Sequence, residues 1–262
     1  MQLPLSRAVA PHLELLPEVG STNAELVARA SAAGADLPDF SVIGTPSQTA
    51  GRGRLGRVWV APPGKTLAVS VLLRPAAGAT DGLGWLPLLA GLAMTRALTA
   101  LVADHAVTLK WPNDVQVDGL KVSGLLAELV PTGGAVVIGA GVNLTMTAEE
   151  LPTPISTSLT LVGVDEADLL DRALAGYLGE LRELYERFAG AGLDAAASGL
   201  RAEVTRACST IGRNVRVELP GGGDLYGEAV DIDELGRLVV RGLADARPHA
   251  VAAGDVTHLR YE

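Results

Sequence analysis

The sequence predicts an α+β protein, a mixed sheet with helices packed on it followed by a small all-β module, and three observations carry that prediction. The chain has 262 residues and 48% hydrophobic content, enough to bury a full core as one large domain plus a small one. Before residue 210, short β-rich runs alternate with a few long segments of helical periodicity. After Gly212 the texture changes to strands and turns over roughly fifty residues, a size typical of small barrels. The boundary is therefore drawn to give one domain over 1–210 and a second over 211–262.

Taken in order, "STNAELVARASAAG" opens with an N-cap at Ser21 or Thr22, sets Leu26, Val27 and Ala30 at helical spacing, and stops at Gly34. "FSVIGT" and "TLAVSVLL" predict strands flanking a segment rich in glycine and arginine, and "WLPLLAGLAMTRALTALVAD" predicts a long, largely buried helix. The runs "VTLKW", "VQV", "KVSGLLAELV" and "AVVIGAGVNL" follow as strands, with turns at "PND", "DG" and "PTGG". "EADLLDRALAGYLGELRELYERF" carries leucines at 169, 170, 174, 178, 181 and 184, a 3.6-residue stripe that predicts a second long helix. A further helix is expected over "LDAAASGLRAEV". In the second domain "NVRVELP", "LYGEAVDI" and "RLVVR" read as strands separated by "GGG" and "DELG".

Cys208 is the single cysteine and forms no internal disulfide, and the start "QLPLSRAVAPHLELL" has neither a basic opening nor a long apolar stretch. No run free of charge and proline is long enough to span a bilayer, so the cytoplasm is the expected compartment, with no membrane partner. A formal net charge of -9 argues against a protein whose main task is to neutralise nucleic-acid phosphates. Against that acidic background, Arg52, Arg54 and Arg57 form a local basic concentration in "AGRGRLGRVW" and predict a local anionic ligand.

Gly51, Gly53 and Gly56 spell G-x-G-x-x-G, but a dinucleotide site needs that motif to lead straight into a helix, whose N-terminus holds the pyrophosphate. Here it leads into Val58, Trp59, Val60 and Pro62-Pro63. A kinase reading lacks H-R-D and D-F-G, and the P-loop ending "GKT" lacks its first glycine, because Trp59 stands there. The bland alternative is a solvated turn. Further on, "LKWPND" sets Lys110, Trp111, Asn113 and Asp114 around a rigid proline turn, and Lys121 begins an otherwise apolar strand after a short hairpin. Taken singly, Lys110 and Lys121 read as solvated strand-end lysines and Trp111 as core.

Together and in this order, "STN", "QTAGRGRLGRVW", "KWPND", "KVSGLLAE" and "GAGVN" closely resemble the biotin protein ligases, from about residue 19 to 260. The resemblance implies a mixed-sheet catalytic domain related to the class II aminoacyl-tRNA synthetases, followed by a small SH3-like β-barrel. It implies an enzyme that joins biotin to ATP, presented as its Mg2+ complex, to give biotinyl-5'-AMP and pyrophosphate. The biotin then passes to a lysine of a biotin carboxyl carrier domain in a biotin-dependent carboxylase. The chemistry suits the residue types, because two anions must be brought within bonding distance and fixed guanidinium groups offset their repulsion.

By the same resemblance, Ser21, Thr22, Asn23 and Gln48 hold the ureido head of biotin, and Arg52, Gly53 and Arg54 wrap the carboxylate and α-phosphate. Arg57 helps on the phosphate side, Trp59 lies near the adenylate end, and Asn143 reaches the nucleotide. Lys121, with Arg52 and Arg54, is the catalytic expectation, its ammonium pointing at the carboxyl–phosphate junction. Asn113 and Asp114 either assist the magnesium nucleotide or orient Lys121, the alternative being a capped turn. The glycines give the loop high backbone entropy, and its arginines have no acidic partner within the segment, so it is expected to be mobile until ligand arrives.

Relatives that repress transcription carry a winged helix-turn-helix ahead of the "STN" helix; with twenty residues before Ser21, the expectation is a single-function ligase without DNA binding. It is expected to be a monomer or a homodimer. Three rivals stay open: a lipoate or octanoate ligase or transferase of the same superfamily, a non-catalytic biotin-binding regulator, and an RNA-binding module. The last lacks aromatic residues to stack bases, at 3% of the chain. The histidines at 12, 105, 249 and 258 show no ligand spacing, so no protein-bound metal is expected.

Overall fold

The computed structural model describes residues 2–34, 36–76, 82–131, 134–219, 222–252 and 254–259. Thr132 and Gly133 of the predicted "PTGG" turn, and Gly221 of the "GGG" run, lie outside the described residues. The chain begins with α1 (Pro4–Val9), β1 (Leu13–Leu15), α2 (Thr22–Ser31), β2 (Val42–Thr45), β3 (Gly51–Arg52), β4 (Val58–Trp59) and β5 (Thr66–Leu73). It continues through α3 (Leu86–Thr99), β6 (Val107–Lys110), β7 (Asp114–Val117), β8 (Leu120–Leu129), β9 (Val136–Asn143), α4 (Leu169–Gly190) and α5 (Leu200–Ala207). Seven strands form one mixed sheet of order β1-β2-β5-β9-β8-β7-β6, in which β1 and β2 are parallel and the remaining neighbours antiparallel.

Side-chain alternation explains why this sheet has one filled face and one face only half covered. Leu67, Val69, Val71 and Leu73 of β5 and Val136, Ile138, Ala140 and Val142 of β9 share a core with Leu89 and Met94 of α3 and Leu174, Leu178 and Leu181 of α4. Each fully buried leucine there contributes about 1.5–3 kcal/mol. On the other face Leu72 and Val137 pack with Ile43 and with Leu26 and Ala30 of α2. Beyond α2 that face is lined largely by small residues, because Ser70 pairs with Gly139, and Ala68 and Gly124 both pair with Gly141, with Leu126 also opposite Gly139. A shallow floor results, open for a ligand.

Helix α1 and the short strands β1, β3 and β4 have no clear local signal, and α5 starts later than its pattern predicts. Helix α1 is six residues long, and its Leu5 and Ser6 amides donate to the carboxylate of Asp171 on α4 at 3.0 and 2.9 Å, so tertiary contact holds it. The helix expected over 193–204 begins only at Leu200. Asp194 Oδ1 accepts from the amides of Ala196 and Ala197 at 2.8 and 2.9 Å, and Gly199 takes a φ of 76°, so the preceding residues turn instead of coiling.

The second sheet contains β10 (Asn214–Glu218), β11 (Asp224–Ile232), β12 (Leu238–Gly242), β13 (Pro248–Val251) and β14 (Asp255–His258) in the antiparallel order β13-β12-β11-β10-β14. It is the small SH3-like module, with two more strands than the sequence announced. Its 233–237 turn docks on the first domain: Glu234 O accepts from Trp85 Nε1 at 2.9 Å and Gly236 O from Trp111 Nε1 at 3.2 Å.

Candidate active site

The glycine-arginine segment is a hairpin of β3 and β4, with Gly51 opposite Trp59 and Arg52 opposite Val58. A Cβ at Gly51 would lie 2.5 Å from Trp59 O and 2.8 Å from Gln48 Nε2, so only glycine permits this pairing beside Gln48. Gly53 N donates to Arg57 O at 2.7 Å, closing the tip through Leu55 and Gly56, both at positive φ. The arginines reach outward. Arg52 pairs with Glu128 of β8 at 3.0 Å, Arg57 pairs with Asp255 of β14, and Arg54 donates to Asn113 Oδ1 at 3.1 Å and to Gly254 O at 3.5 Å. Partners absent from the segment are thus supplied by distant strands. Burial, opposed by Asp114 and reinforced by Arg57, holds the Arg54 guanidinium pKa below its ordinary value.

The "KWPND" corner turns through a cis Trp111–Pro112 bond, with Trp111 almost fully buried. Asn113 is pinned to β8, donating from Nδ2 to Leu125 O at 2.7 Å and accepting from Leu125 N at 2.9 Å. Asp114 starts β7, and a register shift between Val115 and Gln116 brings Lys121 beside it, Nζ to Oδ1 at 2.6 Å. A Cβ at Gly124 would lie 3.0 Å from Lys121 Nζ, so the lysine bends over a bare stretch of sheet. Lys110, read in the sequence as a strand-end lysine, lines the same cleft. Burial lowers its ammonium pKa; Asp114 opposes the shift and Lys121 and Arg57 add to it.

At the other end, Ser21 caps α2 by accepting from Ala24 N, and Thr22 N donates to Gln48 Oε1 at 2.8 Å. Asn23 is buried against Gly139, where any Cβ would overlap its amide oxygen. The Trp59 ring lies over Gly141, 2.7 Å from where a Cβ would stand, and its indole N–H is buried without an acceptor among the described residues. Asn143 donates from Nδ2 to Thr157 O at 2.9 Å.

These residues surround one cleft of about 470 Å³. Ser21, Thr22, Asn23 and Gln48 line one end, and Lys121, Asn113, Asp114, Asn143 and Trp59 line it further along, under Arg52, Gly53, Arg54 and Arg57. Sequence reasoning missed further parts of the wall, among them Lys110, the 152–156 segment, and Glu218 with residues 255–257 of the barrel. The cleft runs from neutral hydrogen-bonding groups to a concentration of cations, a polarity suited to a molecule with a neutral polar head and an anionic tail. Among the described residues, no group of three or more His, Cys, Asp or Glu side chains is placed to hold a metal ion.

Fold and cleft together define a small-molecule-activating enzyme with a C-terminal barrel, and comparison with known proteins makes the class specific. Residues 28–143 match the Biotin/lipoate A/B protein ligase family, and residues 210–259 match the Biotin protein ligase C terminal domain. A Biotin--[acetyl-CoA-carboxylase] ligase of Mycobacterium tuberculosis (strain ATCC 25618 / H37Rv) is 43% identical over 95% of this chain and 89% of its own. The Bifunctional ligase/repressor BirA of Escherichia coli (strain K12) is 36% identical over 86% of this chain and 68% of its own. A solved biotin protein ligase from Aquifex aeolicus in complex with biotin and ATP superposes with a TM-score of 0.77 at 26% identity, covering 95% of this chain and 99% of that one. The chain belongs to the biotin protein ligase family.

Proposed function

We infer that this protein is an ATP-dependent biotin protein ligase, which activates biotin as biotinyl-5'-AMP and transfers it to a lysine of a biotin carboxyl carrier domain. The observation that carries the reading is the polarity of the cleft, neutral at Ser21–Asn23 and cationic at Arg54 and Lys121. In the first step a biotin carboxylate oxygen bonds to the α-phosphorus while the bond to the bridging oxygen breaks, and pyrophosphate leaves. In the second, the lysine nitrogen attacks the acyl carbon, the bond to AMP breaks, and the amine proton is released.

We assign the ureido head to Ser21, Thr22, Asn23 and Gln48, and the carboxylate and α-phosphate to Arg52, the Gly53 backbone and Arg54. Arg57, Trp59 and Asn143 serve the nucleotide. Lys121, held by Asp114 at 2.6 Å, faces the reacting centre, and Asn113 steadies Arg54 at 3.1 Å. Catalysis is then positioning plus electrostatics. Mg2+ enters with the nucleotide as part of the substrate. Residues 1–210 form the catalytic unit and 211–262 the barrel that completes its wall. The carrier domain and ATP are intracellular, so the reaction is assigned to the cytoplasm; among the described residues no helix is long and apolar enough to cross a membrane.

Purified protein should exchange pyrophosphate into ATP only when Mg2+ and biotin are present. Equal exchange with lipoate or octanoate would move the assignment to the other branch of the superfamily.

A further inference from the structure

The hydrogen bonds behind Asn23 admit one consistent arrangement of protons. Asn23 Nδ2 faces Leu126 O at 3.1 Å and Glu128 Oε2 at 2.7 Å. A carbonyl only accepts, and so does a carboxylate that also pairs with Arg52 at 3.0 Å. The amide nitrogen therefore lies on that side, and Oδ1 faces Ser70 Oγ at 2.6 Å. An amide oxygen has no proton to give, so the single Ser70 proton goes to Asn23. Thr22 Oγ1 lies 2.8 Å from Ser70 Oγ and donates its own proton to Gln48 Oε1 at 3.2 Å. Gln48 Oε1 is taken by Thr22 N, which leaves Gln48 Nε2 as a donor with no protein acceptor among the described residues.

Gln48 and Asn23 both line the cleft, whereas Ser70, fully buried on β5, and Glu128 do not. Beside the Ser21 and Thr22 hydroxyls, the cleft end so fixed offers Gln48 Nε2 as a donor and Asn23 Oδ1 as an acceptor. That pair matches a carbonyl flanked by a ring N–H. We propose that Ser70 and Glu128 are positioning residues that lock Asn23 as an acceptor toward the cleft and so make this end select for a ring N–H beside a carbonyl. The inference rests on the biotin reading and names the residues that enforce it. With either the Ser70 hydroxyl or the Glu128 carboxylate gone, one fewer bond orients the Asn23 amide beside Leu126 O, and its nitrogen is presented to a ligand N–H part of the time, a donor facing a donor.

The test is steady-state ATP–pyrophosphate exchange with the full chain, varying biotin and ATP separately. Ser70→Ala and Glu128→Leu should each raise KM for biotin several-fold, and in Ser70→Ala, which leaves the Arg52–Glu128 anchor intact, kcat and the KM for ATP should stay within about twofold. The preference for biotin over biotin methylated on one ureido nitrogen should shrink by a similar factor. Thermal melting establishes that each variant is folded. An unchanged biotin KM in folded Ser70→Ala and Glu128→Leu, or in Ser70→Ala a fall in kcat with both KM values raised alike, overturns the inference. Wild-type protein without biotin-dependent exchange overturns the functional reading itself, so the two failures are distinguishable.

Discussion

Asp114 Oδ1 holds Lys121 Nζ at 2.6 Å on a partly exposed strand end, and pairs of that kind contribute about 0–1 kcal/mol to stability. Lys121→Ala should therefore leave Tm nearly unchanged while slowing biotin adenylation by about two to three orders of magnitude, comparable to losing one transition-state donor. A single-turnover rate near wild type would return Lys121 to an ordinary surface lysine. Gly139 carries the converse prediction. A Cβ there overlaps Asn23 Oδ1, so Gly139→Ala should weaken biotin binding well before it affects ATP, as calorimetric titration of each ligand would show. The motif residues were legible because their chemistry is local: three arginines among glycines, and a lysine opening an apolar strand. Ser70, Lys110 and Asp255 were not, since a serine in "TLAVSVLL" or an aspartate in "GDVTH" acquires its meaning only from what the fold lays beside it.

At the scale of elements, the β3–β4 hairpin is the part whose behaviour the structure changes most. Mutual repulsion of its arginines predicts a loose loop, yet Glu128 and Asp255 anchor it at two points. Both anchors are partly exposed ion pairs and are screened by salt. Trypsin should nick the free enzyme at Arg52, Arg54 or Arg57, faster in high salt and faster in Asp255→Asn, and biotin with ATP should protect the same bonds. Equal cleavage with and without ligands would show that the loop does not close. The longer strands and long helices of the first domain were readable from periodicity, because burial there follows the pattern of apolar residues. Helix α1 and the late start of α5 were not, because Asp171 and Asp194 decide them through side-chain bonds to backbone amides that no hydrophobic pattern records.

For the molecule as a whole, the barrel is a structural partner of the sheet. Asp233 organises its docking turn, accepting at Oδ1 from the amides of Leu235 and Arg237 at 3.0 Å and pairing at Oδ2 with Arg237 Nε at 2.7 Å, and that turn receives both Trp85 and Trp111. Asp233→Ala should cost about 1–3 kcal/mol in urea unfolding and should shift tryptophan emission to the red as the two indoles lose their acceptors. An unshifted emission spectrum would mean the turn docks without Asp233. A pH effect belongs to the same contact. His258 on β14 lies 3.1 Å from Thr210 Oγ1, and burial, helped by Lys110 and Arg213, pushes its pKa down to about 4 from 6.5. The unfolded chain then takes up that proton first, so the stabilisation present above pH 6.5 is lost as pH falls through 6.5 toward 4. Wild-type protein should lose more unfolding free energy between pH 7 and pH 5 than His258→Asn does.

The bond from Arg54 to Gly254 O joins residues 200 positions apart, and the Arg57–Asp255 pair beside it spans nearly as much chain. The residues that line the ligand end near Asn23, from Ser21 through Leu126 to Gly139, are made well before the strand that fastens the arginine hairpin. A ribosome-bound chain halted before β14 would hold a half-walled cleft, with guanidinium groups unfastened and any activated acyl group open to water. Order of translation alone would thus keep a reactive anhydride from forming in a protected state until β14 has been made, and chains arrested at successive lengths should acquire adenylate-retaining activity abruptly once residues 254–258 have emerged.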